Sequence, residues 1–374
     1  MKKVIGIYCG NVNGDNEPFW DSDICREKGI GGSETWAVNI AHEFRKMGYH
    51  VIVFGNPQYW HFDNDGVEYV PYWMFESRSE YQHYDYLIIS RRCDILEIDF
   101  ECDNVYLMSH EIGIFDKYWG RFATYDQLHM DKVRKIGVLS EWHKNATMKM
   151  YPQLKEEQLF ITCNGIDMSL YDNIDWSKKR NMMVWSTCLN RGLTFFGQRV
   201  LPKVKAEVPD FELKICSYNT DIHGVIPEGE GVKFLGTLNK KELAELQKES
   251  SIWALPNYGY NDFGQPLHES FCMTAVENGL AGNAIVCFNT DGIYTTLNGY
   301  TRILNIGKCY DETLGMPPTD GEMEKIAEEM AQSMILYLKY HSLCRTMGKQ
   351  AQKICQKYTW EHAAKTWIQQ WESK

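Results

Sequence analysis

The chain has 374 residues, of which 44% are hydrophobic and 24% charged, and its formal net charge at pH 7 is −11. This length favours two domains of ordinary size, and the composition is that of a folded protein. The acidic balance argues against a nucleic-acid-binding protein, because such a protein would carry an excess of basic residues.

Twelve cysteines are spread along the chain without a Cys-x-x-Cys pair, which favours free thiols in a reducing compartment over a disulfide framework. The basic N-terminus is followed by an apolar run that is too short for a signal peptide. No stretch of the sequence reaches the length needed to span a bilayer. We therefore expect a cytoplasmic protein without a transmembrane segment.

The first predicted elements form a strand, loop, helix and strand unit. A buried strand over Val4–Cys9 is followed by the polar loop Gly10–Gly29 and then by Gly31-Gly32-Ser33-Glu34. Apolar residues next recur at helical spacing, and Val51–Phe54 predicts the second strand. A dinucleotide fingerprint is excluded, because Glu34 holds its third glycine position and no acid follows the second strand. The pair Gly31-Gly32 lets the backbone approach a phosphate or a sugar, or else forms only a tight loop.

Three further parallel strands are predicted over Asp85–Ser90, Asn104–Ser109 and Lys135–Leu139. His110 follows the second of them, at the strand end where binding residues gather in open α/β sheets. The alternative is a hydrogen-bonded loop histidine. A group of basic residues in this part of the sequence could contact an anionic membrane surface or acceptor, although an ordinary solvated face is favoured. These residues are Lys132, Arg134, Lys135, Lys144 and Lys149.

A polar run over Asp175–Asn181 predicts the linker to a second domain, which begins with a strand over Met182–Ser186. Arg191 then opens a helix that runs toward Val208, and its guanidinium suits a diphosphate. The aromatic, glycine-rich segment Asn257–His268 is either a lid or acceptor surface, or a self-packed surface loop. An apolar stripe from Met323 to Leu338 indicates a long core helix.

Two carboxylates eight positions apart, Glu269 and Glu277, flank the start of the next predicted helix, Cys272–Ala281. Gly282 is its expected C-cap, and Ala284–Cys287 predicts a buried strand. The amides at the helix start offer a phosphate site beside Glu269, and a buried Glu277 would accept bonds from the two hydroxyls of a ribose. The alternative is that Glu269 caps the helix and Glu277 is a solvated surface residue.

The spacing of Glu269 and Glu277 matches the E-x7-E signature of retaining glycosyltransferases with the two-Rossmann-domain (GT-B) architecture, of the glycosyltransferase family 4 type. Further segments resemble that family along nearly the whole chain. They are Gly31–Glu34, Asn164-Gly165-Ile166-Asp167, Val232–Gly236, Ile252–Pro256, Gly282–Val286 and the last helix, which opens at Tyr358-Thr359-Trp360-Glu361. The resemblance implies an α/β fold of two Rossmann-like, doubly wound parallel-sheet domains that face a cleft.

The resemblance also implies domain bounds and partners. Residues 1–175 would form the acceptor-side domain, residues 176–357 the donor-side domain, and helix 358–374 would pack back on the first. The donor would be a UDP- or GDP-linked nucleotide sugar, the acceptor a glycan or glycoconjugate hydroxyl, and no further cofactor is implied. Two alternatives remain: an oxidoreductase with two nucleotide-binding halves, and a non-catalytic sugar- or nucleotide-binding protein.

Site roles follow from the same resemblance. Glu269 would position the donor sugar, Glu277 would hold the ribose and Arg191 the diphosphate. The backbone amides of Phe271, Cys272 and Met273 would stabilise the departing diphosphate, so that no metal ion is expected. Gly31, Gly32 and His110 would present the acceptor hydroxyl, and the family often has a histidine facing the donor sugar at the position of His110. Ser186 stands where family members commonly have an arginine, which leaves Arg191 as the main expected cation.

Overall fold

The computed structural model describes residues 2–10, 18–113, 130–217, 226–264, 267–288, 291–297, 302–304 and 318–372. Two predicted segments lie partly outside the described residues, namely the first loop at 11–17 and the aromatic segment at Gln265-Pro266. The chain folds into two compact units. The first contains residues 1–165 and 359–374, and the second contains residues 166–358.

A single parallel sheet with one antiparallel hairpin strand forms the middle of the first unit. Its strands are β1 (Val4–Tyr8), β2 (His50–Gly55), β3 (His61–Phe62), β4 (Glu68–Pro71), β5 (Tyr86–Ser90), β6 (Val105–Met108), β7 (Val133–Val138) and β8 (Leu159–Ile161). Their order across the sheet is β3-β4-β2-β1-β5-β6-β7-β8. The winding direction therefore reverses between β1 and β5, as in doubly wound folds.

The second unit contains two three-stranded parallel sheets. The strands are β9 (Met182–Trp185), β10 (Glu212–Cys216), β11 (Val232–Gly236), β12 (Ile252–Leu255), β13 (Ala284–Phe288) and β14 (Arg302–Leu304). The two sheets, β11-β10-β9 and β12-β13-β14, meet where Arg180 forms a parallel bridge with Ser250 and the Ser251 amide donates to the Met182 carbonyl at 3.2 Å. The order is that of a doubly wound fold, with its switch point between β9 and β12.

Twelve α-helices lie in the described part of the chain. In chain order they are α1 (Ser22–Glu27), α2 (Gly32–Lys46), α3 (Phe75–Ser79), α4 (Glu141–Met150), α5 (Leu193–Phe195), α6 (Leu201–Glu207), α7 (Lys240–Glu249), α8 (Met273–Leu280), α9 (Asp291–Thr296), α10 (Asp320–Lys339), α11 (His341–Cys355) and α12 (Trp360–Glu372). The C-terminal helix α12 packs on α2 in the first unit, where Trp367 is fully buried against Trp36 and Phe160.

The helix predicted to run from Arg191 toward Val208 is interrupted by a π-helical turn at Phe196–Val200. The cause is visible in the sequence, because Pro202 has no backbone N–H and cannot donate to the preceding turn. The first unit also ends earlier than residue 175. Residues after Gly165 pack with the second unit, where the Tyr171 hydroxyl donates to Oε1 of Gln247 at 2.8 Å.

The chain enters the second unit at Ile166 and leaves it at Tyr358. These two positions are adjacent in space, because the Ile166 amide donates to the Tyr358 carbonyl at 2.9 Å. No disulfide joins the cysteines that the structure describes. Among the described helices, none combines the length and the apolar character that crossing a membrane requires.

The basic residues that suggested a peripheral contact are engaged within the first unit. Lys132 donates to the Leu96 carbonyl at 3.2 Å, and Lys135 donates to the Gln370 side chain at 2.8 Å. Lys144 pairs with Glu156 at 2.9 Å. These contacts favour the interpretation of an ordinary solvated face.

Candidate active site

The start of α8 lies at the carboxyl end of the sheet β12-β13-β14, after the segment that follows β12. Cys272 is the N-cap and has a left-handed backbone with φ of 65°, and no side chain caps this helix end. The amides of Ala275 and Val276 both donate hydrogen bonds to the Cys272 carbonyl. The amides before Ala275 belong to the first turn, where helical geometry provides no acceptor. The Phe271 and Cys272 side chains are buried, so their only groups available to a ligand are backbone groups.

Glu269 and Arg191 meet at the switch point of the second unit. Arg191 follows β9 and Glu269 follows β12, and Nη1 of Arg191 forms an ion pair with Oε1 of Glu269. Both side chains remain partly accessible, at 29% and 15% exposure. The alternative in which Glu269 caps α8 is wrong, because its carboxylate contacts the arginine and the helix end has no side-chain cap.

The loop that carries Arg191 is fixed by the aromatic segment. Gly192 has φ of +90°, and a Cβ there would lie 2.6 Å from Cγ of Pro256, so only glycine fits this turn. Asp262 accepts a hydrogen bond from the Thr194 amide at 3.0 Å, and its own amide donates to the Asn190 carbonyl at 2.8 Å. Burial raises the pKa of Asp262, and the amide bonds from the helix start oppose that shift.

Glu277 is buried on α8, with only 6% of its side chain exposed, so the alternative of a solvated surface residue is wrong. Its Oε1 accepts from Nζ of Lys240 at 2.7 Å, and this lysine is 40% exposed at the start of α7. The buried Tyr171 hydroxyl lies close enough for the negative charge of Glu277 to raise the tyrosine pKa further, beyond the rise caused by burial. Glu277 is therefore a buried carboxylate whose cationic partner, Lys240, can be reached by solvent.

Ser186 is the first residue after β9, in the segment that leads to Arg191. It is partly buried and its hydroxyl accepts from Nε2 of Gln247 at 3.4 Å. Gln247 is itself fully buried and bonded to Tyr171. Ser186 is thus tied to the polar network that runs beneath Glu277.

Sequence reasoning missed three residues that support this site: Lys240, Asp291 and Gly292. Asp291 follows β13 and accepts from the Glu269 amide at 3.3 Å, while its other oxygen lies 3.1 Å from Nδ1 of His268. The Gly292 amide donates to the Glu269 carbonyl at 2.6 Å. The sequence does show an Asp-Gly pair after a predicted buried strand, which is typical of a turn. Its distance from Glu269 along the chain gives no reason to place the two side by side.

A second polar cluster forms at the switch point of the first unit. Arg91, which follows β5, donates to the Ser33 hydroxyl at 3.0 Å and pairs with Glu34 at 3.3 Å and with Glu111 at 3.0 Å. A Cβ at Gly31 would lie 2.0 Å from Oε2 of Glu34, so that carboxylate would have to shift to admit a side chain. A Cβ at Gly32 would meet nothing within 4 Å, which leaves open space beside this glycine.

His110 belongs to the same cluster. Its Nε2 lies 3.1 Å from the Ser90 hydroxyl, and its ring meets Trp36 edge to face at 5.5 Å. Burial, together with the positive charge of Arg91, lowers the pKa of His110 to about 3. The imidazole is therefore neutral at physiological pH and acts as a hydrogen-bonding group rather than as a cation.

The structure thus gathers the predicted residues into two groups. Arg191, Glu269, Glu277 and the amides of residues 271–273 lie in the second unit, and Gly31, Gly32 and His110 lie in the first. Within the described ranges, the one cluster of side chains able to hold a metal ion is His42, Asp63 and Asp65. It lies on α2 and the hairpin after β3, and it includes no residue of either group.

No protein-family model matches the chain, and no curated protein matches its sequence. Solved structures do match over its full length. Sucrose-phosphate synthase from Thermosynechococcus elongatus has 14% identity and a TM-score of 0.69, covering 99% of this chain and 98% of its own. A glycosyltransferase from Rickettsia africae has 11% identity and a TM-score of 0.64, with the same coverage.

HepE from Anabaena, solved in complex with UDP and glucose, has 13% identity, a TM-score of 0.61 and full coverage of both chains. At these identities the likeness concerns the fold. The protein has an α/β fold of Rossmann-like parallel-sheet units, and this fold is that of GT-B glycosyltransferases, as the sequence predicts.

Proposed function

We propose that the protein is a glycosyltransferase that moves a sugar from a nucleotide-sugar donor to a hydroxyl of a glycan or glycoconjugate. The observation that carries this proposal is the arrangement of Arg191, Glu269 and Glu277 around the start of α8, at the switch point of the second unit. Ligands of open α/β sheets bind at such points. The site offers a cation, a helix start and two carboxylates, which together suit a diphosphate joined to two polyhydroxyl groups.

Donor binding requires both carboxylates to exchange partners. The diphosphate draws the Arg191 guanidinium toward its oxygens, and this releases Glu269 to accept bonds from the donor sugar. Glu277 accepts the ribose hydroxyls while Lys240, which is reachable by solvent, moves or shares the carboxylate. Binding of the diphosphate is therefore coupled to release of Glu269 from Arg191.

Departure of the nucleoside diphosphate places negative charge beside the first turn of α8. The amides of Phe271 to Met273 and Arg191 stabilise that charge without the help of a metal ion. In the first unit, the open space beside Gly32 and the neutral imidazole of His110 accommodate the acceptor. The resemblance of Glu269 and Glu277 to the E-x7-E signature supports retention of the anomeric configuration and membership of the family 4 type. The spread of cysteines along the sequence without a Cys-x-x-Cys pair supports a reducing, cytoplasmic setting.

A binding and turnover panel tests the proposal. UDP- and GDP-sugars, with NAD as a control for the oxidoreductase alternative, are added to the protein and the melting temperature is recorded. A ligand at about one hundred times its dissociation constant stabilises the folded state by about 2.7 kcal/mol. UDP-sugars come first, because the similar HepE structure contains UDP. Release of nucleoside diphosphate is measured with the same donors, with excess chelator and without it.

Arg191→Ala is expected to abolish the shift, whereas Arg191→Lys retains part of it because the charge remains and the fork is lost. Arg199→Ala is the matched control, since that arginine pairs with Asp320 and Glu324 on the outside of the same unit. A shift with NAD and with no nucleotide sugar would overturn the proposal. Turnover that chelator stops and magnesium restores would overturn its metal-independent part.

A further inference from the structure

Non-glycine residues with a left-handed backbone are few in the described part of the chain. They are Arg91, Asn173, Cys272 and Asp291, with φ between 57° and 66°. Such a conformation is unfavourable for a residue with a Cβ, and it persists where the surroundings enforce it, often at functional sites. Cys272 and Asp291 both lie at the candidate active site. Of these two, Asp291 is the residue whose side chain contacts His268 and the backbone of Glu269.

The Asp291 carboxylate is nearly inaccessible, with 1% of the side chain exposed. One oxygen lies 3.1 Å from Nδ1 of His268, and the other accepts from the Glu269 amide at 3.3 Å. A single buried side chain therefore contacts the residue before Glu269 and the backbone of Glu269 itself. This arrangement restricts the peptide from which the Glu269 carboxylate extends.

The backbone after Asp291 closes on the same peptide from the other side. The Gly292 amide donates to the Glu269 carbonyl at 2.6 Å. A Cβ at Gly292 would lie 2.0 Å from the Ser270 carbonyl oxygen, so only glycine permits this approach. The left-handed turn at Asp291 brings the side chain and the following amide to Glu269 together.

We infer that Asp291 is a positioning residue for sugar transfer, acting through Glu269. This inference rests on the proposed function, because Glu269 is the carboxylate assigned there to the donor sugar. Asp291 holds the peptide of Glu269 so that the carboxylate keeps its orientation after Arg191 turns to the diphosphate. Without it Glu269 still binds Arg191 in the empty site, but it loses its fixed direction when that partner leaves.

The inference separates chemistry from nucleotide binding. The diphosphate and ribose are assigned to Arg191, Glu277 and the amides of α8, whereas Asp291 holds His268 and the backbone of Glu269. Loss of Asp291 should therefore lower kcat and change the affinity for free nucleoside diphosphate little. A small displacement of a reacting group can cost one to two orders of magnitude in rate, so a fall in kcat of about tenfold or more is expected.

Asp291→Gly is the informative variant, because glycine adopts the left-handed backbone without cost and lacks the carboxylate. The gain from relieved strain opposes the loss of two hydrogen bonds, so the melting temperature should stay within a few degrees of the parent. Asp291→Asn keeps one acceptor and tolerates the same backbone. Its kcat should lie between those of the parent and of Asp291→Gly.

Asn173→Gly is the matched control. Asn173 has φ of 57° in the same unit, is exposed, and lies in the segment before β9. The substitution relieves the same kind of backbone strain, and kcat should remain within about twofold of the parent. A comparable fall in kcat in this variant would mean that backbone relief alone explains the effect, and it would overturn the inference.

The experiment measures kcat and donor KM with the most active donor of the panel, and the dissociation constant of the free nucleoside diphosphate. A tenfold fall in kcat with diphosphate affinity within about threefold supports the inference. An unchanged kcat overturns it, as does an equal loss of kcat and affinity. If Asp291→Gly does not fold, Asp291→Asn decides by the same criteria. If the parent turns over no donor, the proposed function fails and this inference fails with it, whereas turnover in the parent with no effect at Asp291 refutes the inference alone.

Discussion

The two site carboxylates have different surroundings, and their substitution should give different kinetics. Glu277 is buried beside Lys240, at the place assigned to the ribose, which does not change during transfer. Glu277→Ala should therefore raise the donor KM and weaken the binding of free nucleoside diphosphate with little change in kcat. Glu269 is assigned to the reacting sugar, so Glu269→Gln should lower kcat and leave diphosphate affinity nearly unchanged. Steady-state kinetics and calorimetry on both purified variants check this. Normal turnover by Glu269→Gln, or parent-like nucleotide binding by Glu277→Ala, would show that these roles are wrong.

His143 predicts a loss of stability in mild acid. It is fully buried, its Nδ1 accepts from the Leu139 amide at 3.2 Å, and burial lowers its pKa to about 4. The unfolded chain takes up a proton below its ordinary pKa of 6.5, whereas the folded protein does so only near pH 4, so stability falls as pH falls between these values. Between pH 7 and pH 5 this amounts to roughly 2 kcal/mol.

Urea unfolding of the parent and of His143→Gln at both pH values measures that contribution. The variant should be less stable at pH 7, because it loses the bond to Leu139, but its stability should depend less on pH. The pKa of His110 is lowered mainly by burial and by Arg91, both of which the variant retains, so its contribution should change little between the two proteins. The same pH dependence in the parent and the variant would contradict the prediction.

Helix α11 packs so closely on the turn between α8 and β13 that adding one methyl group there should lower the stability of the protein. A Cβ at Gly348 would lie 2.1 Å from the Gly282 carbonyl oxygen, and Gly282 itself has φ of +77°. Gly348→Ala should destabilise the protein by about 1–3 kcal/mol, because the backbone oxygen cannot move aside freely. Since α8 carries Glu277, the affinity for nucleotide should fall as well.

Gly321→Ala serves as the control for that substitution. Gly321 is in the first turn of α10, and a Cβ there would meet nothing within 4 Å. This variant should be stabilised by about 0.5 kcal/mol, because alanine loses less backbone entropy on folding. Chemical denaturation of both variants provides the comparison, and equal effects would show that packing at Gly348 is not the cause.

The strands and helices that the sequence predicted are those with strong local signals. Apolar runs at Val51–Phe54 and Ala284–Cys287 are strands within one residue of their predicted bounds. Strands β4 and β10 were not predicted, because both are short and their apolar pattern is interrupted by charged side chains, namely Glu68 in β4 and Glu212 and Lys214 in β10. The π-helical turn follows from Pro202, whose effect on an otherwise helical pattern depends on packing around it.

The site could be predicted in part, because Glu269 and Glu277 match the E-x7-E signature of a known family. Their spacing alone favours a helix cap and a surface residue. Lys240 and Asp291 reach these carboxylates from separate elements, and no local spacing relates them in sequence. The ion pair between Arg191 and Glu269 likewise joins loops that follow different strands. Residues brought together only by strand order were therefore beyond what the sequence alone could provide.

The first unit depends on a helix from the far end of the chain. Trp367 is fully buried there, with its ring 4.8 Å from Phe160 and 6.0 Å from Tyr106. Trp367→Ala should cost about 3–5 kcal/mol. Hydrogen exchange measured by mass spectrometry should show lost protection in peptides of residues 1–165, with peptides of residues 166–358 as the internal comparison. Nucleotide binding by the second unit should persist. Equal loss of protection in both units would contradict this prediction.

The adjacent positions of Ile166 and Tyr358 have a consequence for synthesis on the ribosome. The second unit is an insertion within the first, so its last residue leaves the exit tunnel before Trp367 and Trp371 do. We expect the inserted second unit to fold first. Until α12 is synthesised, the sheet of the first unit lacks the two tryptophans that pack on it. During that interval the nascent chain exposes apolar sheet surface that the finished protein covers, and this is the stage at which a chaperone would be needed most.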